Sequence, residues 1–241
     1  FNNELKGYLR PSAVKHWQVG KEDKVCDPFR HLVQIFEMEE ASFFENITEC
    51  ASFTNQGQYA DSWLQIANMP SLPTPDYNEL YAIGSLLKNI PGNSDLQLAN
   101  SCTIRMAHFF KIPETIRVNC NRGVNGIDGS MSTAVGFAAE NERLTFYITG
   151  DLSFFYDMNS LWNKKLSGNI RIMLLNNSGA GLLRHHNAEA ITYQHNAVAE
   201  GWVRSLGFTY LSSHNQEEFD QQIQRFVSDE DTPMFFEVFV K

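Results

Sequence analysis

Long apolar runs are missing from this 241-residue chain: no stretch approaches the roughly 20 residues that cross a bilayer, which excludes a membrane-spanning helix. Basic clusters are missing as well. Lys and Arg number 19 against 28 Asp and Glu, a formal charge of −9 with no Lys/Arg run, so neither nucleic acid nor an anionic membrane is an expected partner. Any anionic ligand has to be held by a local arrangement. Cysteine is scarce and scattered: Cys26, Cys50, Cys102 and Cys120 form no Cys-x-x-Cys pair and meet no His at zinc-ligand spacing. That argues against a metal knuckle or a disulfide scaffold and predicts buried free thiols. The opening FNNELKGYLR lacks the charged-then-apolar pattern of a secretory leader, so the cytoplasm is the expected compartment. There is no internal repeat and no low-complexity tract.

What is present is enough for a packed core. Apolar residues make up 43% of a length suited to one or two domains. Residues 57–75 thin into polar, proline-marked sequence in which Pro70, Pro73 and Pro75 disfavour both helix and central strand, which reads as a linker. Before it, HWQV (16–19) and LVQIFEM (32–38) read as strands, and ASFFENITECASF carries a helical stripe through Phe43, Phe44 and Ile47. Residues 1–56 hold too few elements for an independent core and read as the tail of a larger α/β domain.

From residue 76 onward the pattern is regular. Apolar runs at 96–100, 115–118, 144–149, 170–175, 208–212 and 234–240 alternate with helix-length segments at 76–90, 130–140, 157–167, 196–206 and 215–228. Six strands separated by helices predict an α/β fold, a parallel six-stranded sheet with helices on both faces. Right-handed crossovers then bring every strand-to-helix loop to one edge of the sheet, where ligands of such folds bind.

Two of those loops carry chemistry. Asp151 closes the run LTFYITGD and Asn177 closes IRIMLLNN, 26 residues later, one strand-helix-strand unit that sets the two side chains side by side. With a free carbonyl such as that of Gly179, they offer three hard oxygens. That set suits Mg²⁺, with Mn²⁺ as a substitute, and a shell this sparse predicts completion by a phosphorylated ligand. Gly-Asp and Asn-Asn also serve as ordinary turn residues; their joint spacing favours the metal. The second loop, CNRGVNGIDGSMSTAVG, repeats glycine at 123, 126 and 129 before a helix opening at Ser130. It reads either as a phosphate cradle or as a tight turn capped by Ser130 or Ser132. It is not Gly-x-Gly-x-x-Gly and has no ribose-binding acid about 20 residues on, which disfavours a dinucleotide. Ile127, apolar among polar neighbours, is placed to press on a ligand ring.

These motifs resemble thiamine-diphosphate enzymes, whose signature is Gly-Asp-Gly, some 25–30 residues, then Asn-Asn. NRGVNGIDGSMSTAVG, GDLSFFYDMNSL and NNSGAG together resemble the 2-succinyl-5-enolpyruvyl-6-hydroxy-3-cyclohexene-1-carboxylate synthases of menaquinone synthesis. Leu152 stands where most of the superfamily has Gly, which points to that family rather than to acetolactate synthases or 2-oxoacid decarboxylases. The resemblance covers residues 76–241 as the diphosphate- and Mg²⁺-binding domain and, more loosely, 1–56 as the end of the middle domain.

The resemblance implies metal ligation by Asp151, Asn177 and the Gly179 carbonyl. It implies cofactor contacts from Asn121, Gly126, Ile127, Gly150, Asp151, Leu152, Ser153, Asn177, Gly179, Leu182 and Leu183, with Ile127 wedging the bent cofactor. Arg105 and Arg122 match arginines that meet substrate carboxylates, a duty suited to a planar fork, and Ser101 matches a neighbouring contact. Arg184, His185 and His186 read as polar residues of an exposed lid, and Asp157 and Asn159 as helix caps. The implied reaction decarboxylates 2-oxoglutarate and adds the resulting unit to isochorismate. An acid from a pyrimidine-binding domain, supplied by a partner subunit of a homodimer or homotetramer, completes the site, so the 241 residues alone are expected to be inactive. A non-catalytic nucleotide-binding α/β module is the competing reading, and it would leave the Asp151 to Asn177 pair without a role.

Overall fold

A computed structural model describes residues 3–50, 57–67, 76–123, 125–166, 168–179 and 193–240. The chain divides into two compact units, Phe1–Met69 and Pro70–Lys241. The first contains α1 (Asn3–Leu9), β1 (His16–Val19), β2 (Leu32–Phe36), α2 (Glu40–Cys50) and α3 (Gln58–Ala67). β1 and β2 pair in parallel, with a register shift between His16 and Trp17. Phe43 packs edge-on against Trp17 and lies beside Phe36, and among the described residues it is the one buried apolar side chain of this unit. Helix α3 occupies part of the expected linker. No Gly or Pro interrupts residues 58–67, and Ala, Leu and Gln favour helix there.

The second unit contains α4 (Glu79–Asn89), β3 (Asp95–Leu98), α5 (Cys102–Ala107), β4 (Arg117–Cys120) and α6 (Ser130–Ala139). It continues with β5 (Thr145–Gly150), α7 (Asp151–Asp157), a 3₁₀ turn (Met158–Trp162) and β6 (Ile170–Asn176). Last come α8 (Glu200–Ser205), β7 (Thr209–Ser213), α9 (Gln216–Phe226) and β8 (Met234–Phe239). The six strands form one all-parallel sheet in the order β4-β3-β5-β6-β8-β7. Alternate side chains feed two cores. Phe146, Ile148, Met173 and Phe236 pack with α4 and α9 on one face; Tyr147, Ile172, Leu174 and Phe235 pack with α6, α7 and α8 on the other. Sequence periodicity had the sheet right because strands buried on both faces read as continuous apolar runs.

Three local expectations change. The strand expected at 115–118 lies at Arg117–Cys120, because Ile116 N–H closes a turn on Pro113 and Arg117 then registers opposite Asp95. The helix expected at 157–167 begins at Asp151, directly at the strand end with Gly150 as its N-cap, and only a 3₁₀ turn follows it. The thiols are free but not buried: Cys26, Cys50 and Cys120 are exposed and Cys102 is half-buried. Cys120 ends a strand at the sheet edge and Cys50 ends a helix whose one buried residue is Phe43. Among the described residues no helix is long and apolar enough to cross a membrane.

The strand order sets the place for a ligand. From β3 the chain moves outward to β4 on one side, and from β5 to β6 on the other, so the crevice between the carboxyl ends of β3 and β5 is the switch point of the sheet.

Candidate functional site

At that crevice lies a cavity of about 250 Å³ lined by Glu79, Asn100, Ser101, Cys102, Thr103, Ile127, Gly150, Asp151, Leu152, Ser153, Leu175, Asn177 and Gly179. Asp151 is the first residue of α7 and only 3% exposed. Its Oδ1 accepts from Leu152 N–H at 2.7 Å, and its Oδ2 from Gly179 N–H at 2.8 Å and His195 Nε2 at 3.1 Å. Burial pushes its carboxyl above the ordinary carboxylate range, outweighing the bonds it accepts from the Leu152 and Gly179 amides and from His195. Asn177 follows β6 on the adjacent strand. Its Oδ1 accepts from the same Gly179 N–H at 3.2 Å, while its Nδ2 donates to Glu79. The Asp151 carboxylate and the Asn177 amide oxygen therefore lie side by side, both accepting from the Gly179 N–H. The acceptor-only Glu79 decides which end of the amide faces it.

Gly179 has φ +151°, and a β-carbon there would lie 3.0 Å from the Tyr193 carbonyl oxygen, so the close crossing of the two segments requires glycine. The donor set fits a hard divalent ion: carboxylate, amide oxygen and backbone carbonyl, with phosphate or water completing the shell. Among the described residues no group of three or more His, Cys, Asp and Glu offers a competing metal site.

The glycine loop is hung from the sheet at two points. Asn100 Nδ2 donates to the Gly126 carbonyl at 3.0 Å, and Ser153 Oγ donates to the Ile127 carbonyl. Since that carbonyl can only accept, the hydroxyl chain runs in one direction, from Tyr147 through Ser130 (2.6 Å) to Ser153 (3.0 Å) and on to Ile127. Burial raises the Tyr147 hydroxyl above its usual range, which keeps it a donor. Ile127 is thereby pinned at the cavity wall. The amino end of α6 is less open to phosphate than the loop suggests. Gly129, at φ +72°, has no side chain to cap it, and the carboxylate of Asp157 takes Ser132 N–H at 2.7 Å and its hydroxyl at 2.5 Å. Asp157, expected to cap its own helix, ends α7 and caps α6 instead, because a negative charge is favoured at an uncapped helix start. Asn159 lies within the 3₁₀ turn.

Of the expected site residues, Ser101, Ile127, Gly150, Asp151, Leu152, Ser153, Asn177 and Gly179 line the cavity. Gly126 reaches it only through its tether to Asn100. Asn121 donates to Thr133 on α6, Arg105 is exposed in the last turn of α5, and Arg122 is half-buried beyond β4; none of the three is on the lining. Leu182, Leu183, Arg184, His185 and His186 lie outside the described residues. Sequence reading missed Glu79, Asn100, Cys102, Thr103 and Leu175, and it reached His195 only as the end of a segment, 181–195, expected near the mouth of the site. Asn100 stands at a strand end and could have been found by that position; Glu79, 72 residues before Asp151, could not, and for His195, 44 residues after it, the bond to Asp151 could not.

The family described as thiamine pyrophosphate enzyme, C-terminal TPP binding domain, matches residues 100–238. The chain is similar over 99% of its length to proteins named 2-succinyl-5-enolpyruvyl-6-hydroxy-3-cyclohexene-1-carboxylate synthase. It is 39% identical to the one from Phocaeicola vulgatus and 38% to that from Bacteroides thetaiotaomicron, covering 44% and 45% of them. With the Bacteroides fragilis protein it is 36% identical and again covers 45%. The chain thus spans less than half the length of these curated relatives.

Proposed function

Because this chain belongs to the thiamine pyrophosphate enzymes, as their C-terminal TPP-binding domain, we propose that it forms the metal- and diphosphate-binding part of a 2-succinyl-5-enolpyruvyl-6-hydroxy-3-cyclohexene-1-carboxylate synthase. The substrates of that reaction are 2-oxoglutarate and isochorismate, and the setting is menaquinone synthesis. The observation that carries this reading is the meeting of the Asp151 carboxylate and the Asn177 amide oxygen at one Gly179 N–H, beside a cavity at the switch point. Bound there, thiamine diphosphate supplies the electron sink that decarboxylation needs.

The chain's own residues position and exclude. Asp151 and Asn177, with the Gly179 carbonyl, would hold Mg²⁺ or Mn²⁺, whose charge would favour a bound diphosphate. Ile127, pinned by Ser153 and with its neighbour Gly126 tied to Asn100, supports the ring portion of the cofactor. Leu152 and Leu175 give the cavity an apolar wall that keeps water from the reacting centre. Arg105 and Arg122, outside this wall, meet substrate carboxylates once a pyrimidine-binding domain from a partner subunit covers the crevice. The assembly is a homodimer or homotetramer. Four free thiols agree with a reducing, cytoplasmic setting.

Titration calorimetry of thiamine diphosphate into the intact protein, in Mg²⁺ and in EDTA, tests the metal assignment. Binding is expected to need Mg²⁺, and Asp151→Asn to weaken it at least tenfold by removing the charge from the metal shell. Equal affinities in the two buffers would overturn the assignment.

A further inference from the structure

We propose that His195 is a positioning residue for the metal carboxylate, saturating one oxygen of Asp151 so that the other faces the cation. The proposal rests on the reading of Asp151 as a metal ligand and names a residue outside the motif that serves it. An ionised carboxylate has about four lone-pair sites. On Asp151, Gly179 N–H and His195 Nε2 take both sites of Oδ2, and Leu152 N–H takes one of Oδ1. Among the described residues, the open site is on Oδ1.

The imidazole is held for this duty. Ala197 N–H donates to His195 Nδ1 at 3.1 Å, so the neutral ring carries its proton on Nε2 and donates it to Asp151. The ring stands edge-on to Phe155, with centroids 5.5 Å apart. The backbone of His195 is stitched to the metal loop as well: its N–H donates to the Ser178 carbonyl at 3.0 Å. Asn176 completes the brace. It donates to the Ala197 carbonyl at 3.0 Å and to the buried Glu237 at 2.7 Å, and accepts from Ser178 N–H at 3.1 Å. The loop that carries Asn177 and Gly179 and the segment that carries His195 therefore move as one body. Partners of this kind orient metal ligands, and their loss lowers metal affinity.

Mn²⁺ binding to the intact protein at fixed thiamine diphosphate, followed by the electron paramagnetic resonance signal of the free ion, tests the proposal without reference to turnover. His195→Leu is expected to raise the Mn²⁺ Kd about 10- to 100-fold, while His195→Gln, whose Nε2 reaches the same spot, stays within about threefold of the parent. Should the Leu variant fail to fold, His195→Asn, one methylene too short to reach Asp151, makes the same contrast with Gln. Parent-like affinity in the Leu or Asn variant, or a Gln variant as weak as either, would overturn the proposal. Asp151→Asn separates the two levels: if it binds Mn²⁺ as tightly as the parent, the metal assignment itself fails.

Discussion

Ser101 is a non-glycine residue at φ +80° and ψ −128°, a conformation that costs a β-carbon on the order of 1–3 kcal/mol. Its side chain makes no capping bond to α5, so the helix start does not account for the strain, and the residue lines the cavity. Strain held at a ligand wall is a sign of function. Ser101→Gly is therefore expected to stabilise the protein by about 1 kcal/mol, a rise in Tm of roughly 2–4 °C for a unit of this size, and to impair substrate use. Calorimetric melting beside steady-state kinetics checks it, and an unchanged Tm would show that the backbone is not under load. The residues of the site divide by how they could be read. Asp151 and Asn177 were legible because a parallel sheet puts successive strand ends side by side. Glu79 and His195 act through a hydrogen bond made across the fold, and nothing in their local sequence marks it. The arginines at 105 and 122 came from resemblance, and neither lines the cavity of this chain.

Elements are joined at the opposite edge of the sheet by one buried carboxylate. Asp95, the first residue of β3, takes a two-point bond from Arg117 at the head of β4 (2.5 and 2.7 Å) and another from Asn141 at 2.6 Å; Arg143 lies at 3.7 Å. Burial pushes its carboxyl upward, but the Arg117 and Asn141 bonds and the charges of Arg143 and Arg117 outweigh that and hold it below the ordinary 3.8. A depressed folded pKa contributes stability that is present above the unfolded value and lost as pH falls through the folded one. Asp95→Asn should accordingly destabilise by about 1–3 kcal/mol above roughly pH 4. The difference should shrink below that pH, as urea unfolding across the acid range will show; a pH-independent difference would mean that charge is not what Asp95 contributes. This contact also explains why β4 was read two residues early. Apolar pattern finds an edge strand poorly, since all four of its residues are exposed, and the Asp95–Arg117 pairing decides the register. Helix α7 was misplaced for a related reason: its start is set by the end of β5, while Asp157, an apparent start signal, caps α6 across space.

The whole molecule is two units of unequal self-sufficiency. The second buries two apolar layers against a six-stranded sheet; in the first, among the described residues, Phe43 alone of the apolar side chains is buried, and Trp17, Phe44 and Trp63 are each more than half exposed. Cores this small offset chain entropy poorly. The curated relatives are more than twice as long as the stretch matched here, and under the proposed function the acid that activates the cofactor would come from a pyrimidine-binding domain. Purified as 241 residues alone, the chain is expected to bind thiamine diphosphate weakly and to release no carbon dioxide from 2-oxoglutarate. A radiometric decarboxylation assay checks this, and clear turnover would show that these residues suffice.

By itself the sequence determined the alternation of strands and helices, the parallel sheet and the adjacency of Asp151 and Asn177. Each depends on residue type at short spacing, and in a parallel sheet short spacing becomes adjacency at one edge. Only the tertiary structure decided which oxygen of Asp151 meets His195, which end of the Asn177 amide faces Glu79, and which helix Asp157 caps. Those choices rest on directional hydrogen bonds between segments that folding brings together from tens of residues apart, and no local pattern encodes their geometry.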